Sequence, residues 1–402
     1  MTVAQDAADA SASSSGMALF AHGFRPFFLL AGIWAVVPIT VWAAALHGVR
    51  VPEGVLPFNL WHAHEMAAGF IGAAMCGFLL TAIPNWTGRR GYAGAPLMLV
   101  VTLFVLARVV LWPGFPVSSQ TAAIIALLPL PALLLLIAPA LIRAQAPRLL
   151  GPPLLILAFW IGDLLMLGDM AGWWSGYFDL GRMLALNVAL ALIGLIGGRI
   201  LPSFTLNALR RAGRPADLQP LPGVDRAAII ALLLVVLGDL VVPGTPVSGA
   251  VAAVAAVLLL LRLSRWYGLR TLNQPILWVL HLAYLMLPFA LGVKAVFLLS
   301  DWAGAANWLH LQTIGATALM ILAVMTRATL GHTARDLVAS RWTVAAYVMV
   351  PMAALLRGFG PIFINPQAAY SLSGLAWITA FAVFLIIFGP MLVTSRADGK
   401  PG

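Results

Sequence analysis

Charge is scarce in this chain: only 9% of its 402 residues are Asp, Glu, Lys or Arg, against 62% hydrophobic. With a mean hydropathy of +0.99, that composition excludes a water-soluble domain, in which roughly a quarter of the residues are charged. Cysteine is almost missing, Cys76 being the only one, so neither a disulfide framework nor a thiolate metal cluster can be built. No C-x-x-C-H occurs, which removes a covalently attached c-type haem. Cys76 stands between Met75 and Gly77 in an apolar run, a setting for small-residue packing. The opening M-T-V-A-Q-D-A-A-D-A-S-A-S-S-S-G lacks the basic start of a cleaved signal. Residues 1–22 therefore read as a disordered tail, and insertion falls to the first membrane helix.

Long apolar runs are abundant. A helix needs about 20 apolar residues to cross the hydrocarbon, and such stretches fall at 27–46, 65–83, 95–112, 121–142, 150–168, 183–201, 227–243, 247–262, 275–299, 305–326, 342–357 and 370–393. The expected fold is an all-α polytopic membrane protein of about twelve helices, one transmembrane domain over 23–395 followed by a tail at 396–402. Breaks between spans are short and rich in Pro, Gly, Arg and Trp; the longest expected loop is 203–226. The net charge of +10 is dispersed among apolar spans, which gives no nucleic-acid footprint and points to the bilayer. Most basic residues alternate onto one side, including Arg89 and Arg90, Arg143 and Arg148, Arg210, Arg211 and Arg214, and Arg396 with Lys400. Arg50, Arg182 and Arg357 fall on the other, with Arg108 and Lys294 near the outer helix ends. Both termini are thereby expected in the cytoplasm.

Two weak repeats recur about every four helices. A proline opens the first, fifth and ninth helices at Pro26, Pro153 and Pro275, and T-A-I-P-N-W-T, R-I-L-P-S-F-T and R-A-T-L-G-H-T close the second, sixth and tenth. They suggest three four-helix repeats in a pseudo-threefold bundle. Counting back from the last threonine of each brings His64, Arg182 and His310 to one level, with Gly69, Asn187 and Gly315 five residues on.

Ionisable groups inside a membrane are costly and are functional candidates. His62, His64 and Glu65 open the run Trp61–Arg90 at the outer face, and His310 is level with His64 in the repeat. His62 and His64, two apart, point about 200° from each other on a regular helix and cannot share one ion there. Either the helix starts between them, or only one of them is a ligand. Glu65 can share the face of His62, orienting a ligand imidazole or serving as the candidate catalytic group. Imidazoles from two helices suit haem b, and further imidazole or thioether suits copper. On that reading the cofactor residues are His64, His310 and His62, with Arg199 and Arg327 pairing haem propionates or lipid phosphates. His281 and His332, with His22, form either an inner metal site or interfacial positions. His47, beside Gly48, is interfacial, and Asp163 and Asp239 inside apolar runs are proton-relay or packing residues.

G-F-R-P-F-F-L-L-A-G (Gly23 to Gly32), W-H-A-H-E-M-A-A-G-F (Trp61 to Phe70), G-F-L-L-T-A-I-P-N-W-T-G (Gly77 to Gly88), G-G-R-I-L-P-S-F-T-L-N-A-L (Gly197 to Leu209), H-L-A-Y (His281 to Tyr284), L-H-L-Q-T-I-G (Leu309 to Gly315) and M-T-R-A-T-L-G-H-T-A-R (Met325 to Arg335) resemble the NnrS family in order along the chain. The resemblance implies a bacterial inner-membrane protein of nitric oxide metabolism or nitrosative-stress tolerance, containing haem and copper. The family's histidine motifs fall on His62, His64, His281, His310 and His332. Two readings follow. One is a haem protein that binds or reduces nitric oxide with an electron donor the sequence does not name. The other is a non-enzymatic transporter or sensor of a metal or nitric-oxide-derived species.

Overall fold

The computed structural model describes residues 18–146, 149–217 and 221–400, and all regular structure among them is helical. The expected tail therefore lies, up to residue 17, outside the described residues, as does Arg148. Twelve helices follow in order: α1 Phe24–Leu46, α2 Phe58–Thr87, α3 Ala95–Val110, α4 Ser119–Ala144, α5 Gly151–Met170, α6 Phe178–Arg211, α7 Pro222–Val241, α8 Pro246–Ser264, α9 Pro275–Ser300, α10 Ala303–His332, α11 Arg341–Phe363 and α12 Pro366–Val393. Each expected span falls on one of them.

Among the described residues ten are long and apolar enough to cross a membrane on their own, which corrects the expectation of about twelve. The two exceptions have a physical cause. Helix α3 has 16 residues, short of the about 20 that span the hydrocarbon, and α7 carries Asp225, Arg226 and Asp239. These same helices bring Arg108 and Asp239 into buried networks, so the missing apolarity has become polar contact.

Two helix ends also differ from expectation. Helix α6 does not stop before the proposed loop at 203–226 but runs 34 residues through Pro202 to Arg211. Ser203 Oγ donates back to Arg199 O at 3.0 Å beside the proline, and Arg210 and Arg211 sit in the last turn, where cations favour the helix dipole. Helix α2 begins at Phe58, so His62 and His64 both lie on regular helical turns rather than astride the start. Its other end is at Gly88, whose φ of +66° supplies the left-handed cap that only glycine adopts without strain.

The chain divides into two compact units: residues 1–182, 325–337 and 381–402, and residues 183–324 with 338–380. In the first, α1 packs on α2, with Phe24, Phe27 and Phe28 all buried; a Cβ added to Gly77 would meet the Phe28 ring at 2.8 Å. In the second, α7 and α8 pair, α8 lies on α9, and α9 and α11 pack against residues 311–318 of α10. Small buried residues line α8 at Gly249, Ala252, Ala255 and Ala256, allowing the close backbone approach typical of membrane helices.

Candidate functional site

Helices α2 and α10 share a local irregularity. Immediately after His64, residues Glu65–Ile71 form a π-helix, and immediately after His310, residues Leu311–Ala318 do the same. Such wide turns are rare and concentrate at functional sites. Each contains the glycine five residues on, Gly69 or Gly315.

In the first unit the π-helix presents Glu65 to a largely buried polar network. His64 and Glu65 are 0% exposed. His64 Nδ1 meets Glu65 Oε1 at 3.0 Å, and its Nε2 meets Asp163 Oδ1 of α5 at 2.8 Å. Arg108 Nη1 donates to Glu65 Oε1 at 2.9 Å, and Trp34 Nε1 donates to Glu65 Oε2 at 2.5 Å. Two carboxylates face one imidazole, one on each nitrogen. A neutral imidazole has a single N–H, so this trio holds one further proton, on the ring or on a carboxyl. With both carboxylates ionised and His64 and Arg108 cationic, the network is neutral, which burial demands.

Gly69 makes room for this arrangement. A Cβ there would collide with Trp34 and lie 3.1 Å from Glu65 Oε2. Gly69→Ala is expected to push the indole off the carboxylate and to destabilise the first unit by about 1–3 kcal/mol, as overpacking does. Thermal unfolding of the detergent-solubilised protein measures it, and an unchanged midpoint would mean that Trp34 yields freely.

The second unit holds a parallel network. Asp239 of α7 accepts from Lys294 Nζ of α9, from Asn187 Nδ2 of α6 at 2.6 Å and from Ser248 Oγ of α8 at 2.5 Å. Gln312, in the π-helix of α10, donates from Nε2 to Asn187 Oδ1 at 3.0 Å. Its Oε1 is buried without a hydrogen-bond partner. Lys294 Nζ also lies 4.9 Å over the Trp308 ring, a cation–π contact.

The remaining expected site residues are spread over the two units. His62 is half-buried and stacks on Trp42, ring centroids 4.4 Å apart. His310 and Arg327 are half-buried, and Arg199 is exposed. His281 is buried, with Nε2 2.8 Å from Thr205 Oγ1 and Nδ1 without a partner. His332 ends α10 with its ring 5.4 Å from that of Phe24. Among the described residues no group of three His, Cys, Asp or Glu side chains is arranged to hold a metal ion.

The family pattern described as NnrS protein matches residues 18–396. The chain belongs to the NnrS family. Membership gives it a general role among membrane proteins tied to nitric oxide and nitrosative stress. No curated protein matches it. Of the NnrS motifs, W-H-A-H-E builds the first network directly, and L-H-L-Q contributes Gln312 to the second.

Arg108, Lys294, Asp163 and Asp239 of this NnrS chain are visible in sequence only as isolated charges, without their partners. One signal links two of them. Arg108 is followed by P-G-F-P-V-S at Pro113–Ser118, and Asp239 by P-G-T-P-V-S at Pro243–Ser248. The same turn thus follows a buried charge of opposite sign in each unit.

Haem b and copper, implied by the NnrS resemblance, can be tested against the donors. His64 has both nitrogens engaged by carboxylates and offers no lone pair without breaking a buried bond. His281 Nδ1 is a buried unpartnered donor or acceptor, but one nitrogen without companions does not make a metal centre. Neither His64 nor His281 by itself makes a haem–copper centre.

Proposed function

We propose that this NnrS protein supports nitrosative-stress tolerance from the bacterial inner membrane, termini cytoplasmic, as a proton-exchanging carrier of a nitric-oxide-derived species. The observation that carries this reading is His64 held between Glu65 and Asp163 with no exposure to water. A proton reaching Asp163 cancels its charge and weakens its hold on His64 Nε2. The imidazole then balances against Glu65 and Arg108 alone. Loading and unloading one proton in this way changes the contacts between α2 and α5, which is what coupling a carrier to a proton requires. The π-helix gives α2 a turn that can tighten to α-helical geometry. Three four-helix repeats remain part of this reading, supported by the two P-G-x-P-V-S turns and by the π-helices that follow His64 and His310.

A second reading is a haem-bearing redox protein with nitric oxide reductase-like activity and an external electron donor, and it rests on the unpartnered Nδ1 of His281. When bound, haem b supplies an iron that takes nitric oxide as a ligand. His281, through that nitrogen, is the residue of the second unit that would hold such a group.

One set of variants separates the two. Cells producing His64→Gln or Asp163→Asn protein are expected to resist a nitric oxide donor no better than cells without the protein. Anaerobically purified His64→Gln should carry the same haem and metal content as wild type. A reduced-minus-oxidised haem band present in wild type and lost in His64→Gln would make His64 a ligand and end the relay reading. Loss of such a band in His281→Ala would favour the redox reading.

A further inference from the structure

Arg25 is the most unusual cation in the chain, because it is 0% exposed and no carboxylate among the described residues pairs with it. Its Nη1 donates to three main-chain carbonyls at the C-terminal end of α12, those of Met391, Leu392 and Thr394 at 3.3, 3.1 and 2.7 Å. Those orphan carbonyls of a helix end are natural acceptors. Its Nε and Nη2 are buried and have no partner. These two nitrogens form one edge of the guanidinium, the edge whose parallel N–H groups match two oxygens of a carboxylate or phosphate.

The surroundings add positive charge. Arg335 and Arg396 lie near enough for their charges to act on Arg25. His22, outside the membrane helices, is held below its ordinary range by burial first and then by His332, Arg25 and Arg396. The ring of Phe24 sits between the two imidazoles, 6.2 Å from that of His22 and 5.4 Å from that of His332. Arg396 grips Asp398 with two hydrogen bonds, 2.9 and 2.8 Å, which uses that carboxylate. Asp336 is exposed. The start of α1, the end of α10 and the segment after α12 therefore gather more cations than anions around one unsatisfied guanidinium edge.

We propose that the Nε/Nη2 edge of Arg25 is an oxyanion-binding site, with Arg335 and Arg396 as its flanking charges. The ligand is a phosphate-like or carboxylate-like group accepting two parallel hydrogen bonds from Arg25. The group is either the headgroup phosphate of a lipid or a free oxyanion. In both cases binding neutralises a buried charge that α12 carbonyls alone only partly satisfy, and it ties α1 to the chain segments at residues 325–337 and 381–402.

The test uses delipidated full-length protein in a neutral detergent. Inorganic phosphate is titrated against chloride at equal ionic strength, by calorimetry and by unfolding midpoint, and phosphatidylglycerol is added in a separate arm read by native mass spectrometry. Wild type should bind one equivalent of one or both probes and unfold at a higher temperature when loaded. Arg25→Lys keeps the charge but loses the fork, and should weaken binding by about tenfold, the worth of one charge-assisted hydrogen bond. Arg335→Gln, which alters no buried contact of Arg25, should weaken it less and guards against misfolding of the first variant. Phosphate alone bound identifies a free oxyanion, and lipid alone bound identifies a headgroup; each supports the site. Folded wild type binding neither probe, or binding unchanged in both variants, would overturn it.

Discussion

Arg108→Met is expected to lower the stability of the first unit by about 3–5 kcal/mol, the cost of removing one partner from a buried ion pair. The reason lies in what Glu65 has left. Its carboxylate keeps Trp34 and His64, yet loses the one cation of the network that stays charged at any working pH. A fully buried carboxylate with no fixed counter-charge must be protonated or pull water inward. Glu65→Gln placed on Arg108→Met should restore at least half of the loss, since the double variant removes both members of that pair. Unfolding midpoints of the two single variants and the double variant in detergent complete the cycle. Strictly additive losses would show that Arg108 acts through packing on Phe104, over which its guanidinium lies at 5.3 Å, rather than through Glu65.

The sequence made the helices readable because the hydrocarbon imposes a length and an apolarity that only a helix satisfies. Proline and glycine then marked ends such as Gly88. What composition alone did not reveal was where charge would shorten or interrupt an apolar run, so α3 and α7 looked like ordinary spans. The overlong α6 escaped for a related reason: Pro202 reads as a stop, but a Ser203 back-bond and terminal arginines let the helix continue. His64 and Glu65 stood out at once as polar residues at a helix mouth. Their partners did not, because Asp163 and Arg108 are 99 and 43 residues away from the groups they bind, and pairing across that distance is set by packing rather than by local pattern. Trp34, Gln312 and Ser248 were less visible still, being neutral, and Asn187 showed only as a repeat position without its partners.

Asp239→Asn should harm the second unit more than Lys294→Met does, although each breaks the same ion pair. Without Lys294, the Asp239 carboxylate still accepts from Asn187 and Ser248, so its charge keeps two short hydrogen bonds. Without the carboxylate, Lys294 keeps no counter-charge, only a neutral amide oxygen and the face of Trp308, and a cation–π contact is worth about 0.5–2 kcal/mol. The expected losses are therefore near the upper and lower ends of about 3–5 kcal/mol, in that order. Asp239→Asn combined with Lys294→Met removes both charges and should recover most of the stability, because well-packed neutral groups commonly replace a buried pair without loss. Unfolding midpoints give the ranking, and the reverse order would mean that Asn187 and Ser248 do not sustain the carboxylate. The recovered double variant then poses the functional question cleanly. A protein that folds as well as wild type but no longer protects cells from a nitric oxide donor would show that two charges are kept inside lipid for what they do and not for what they hold together.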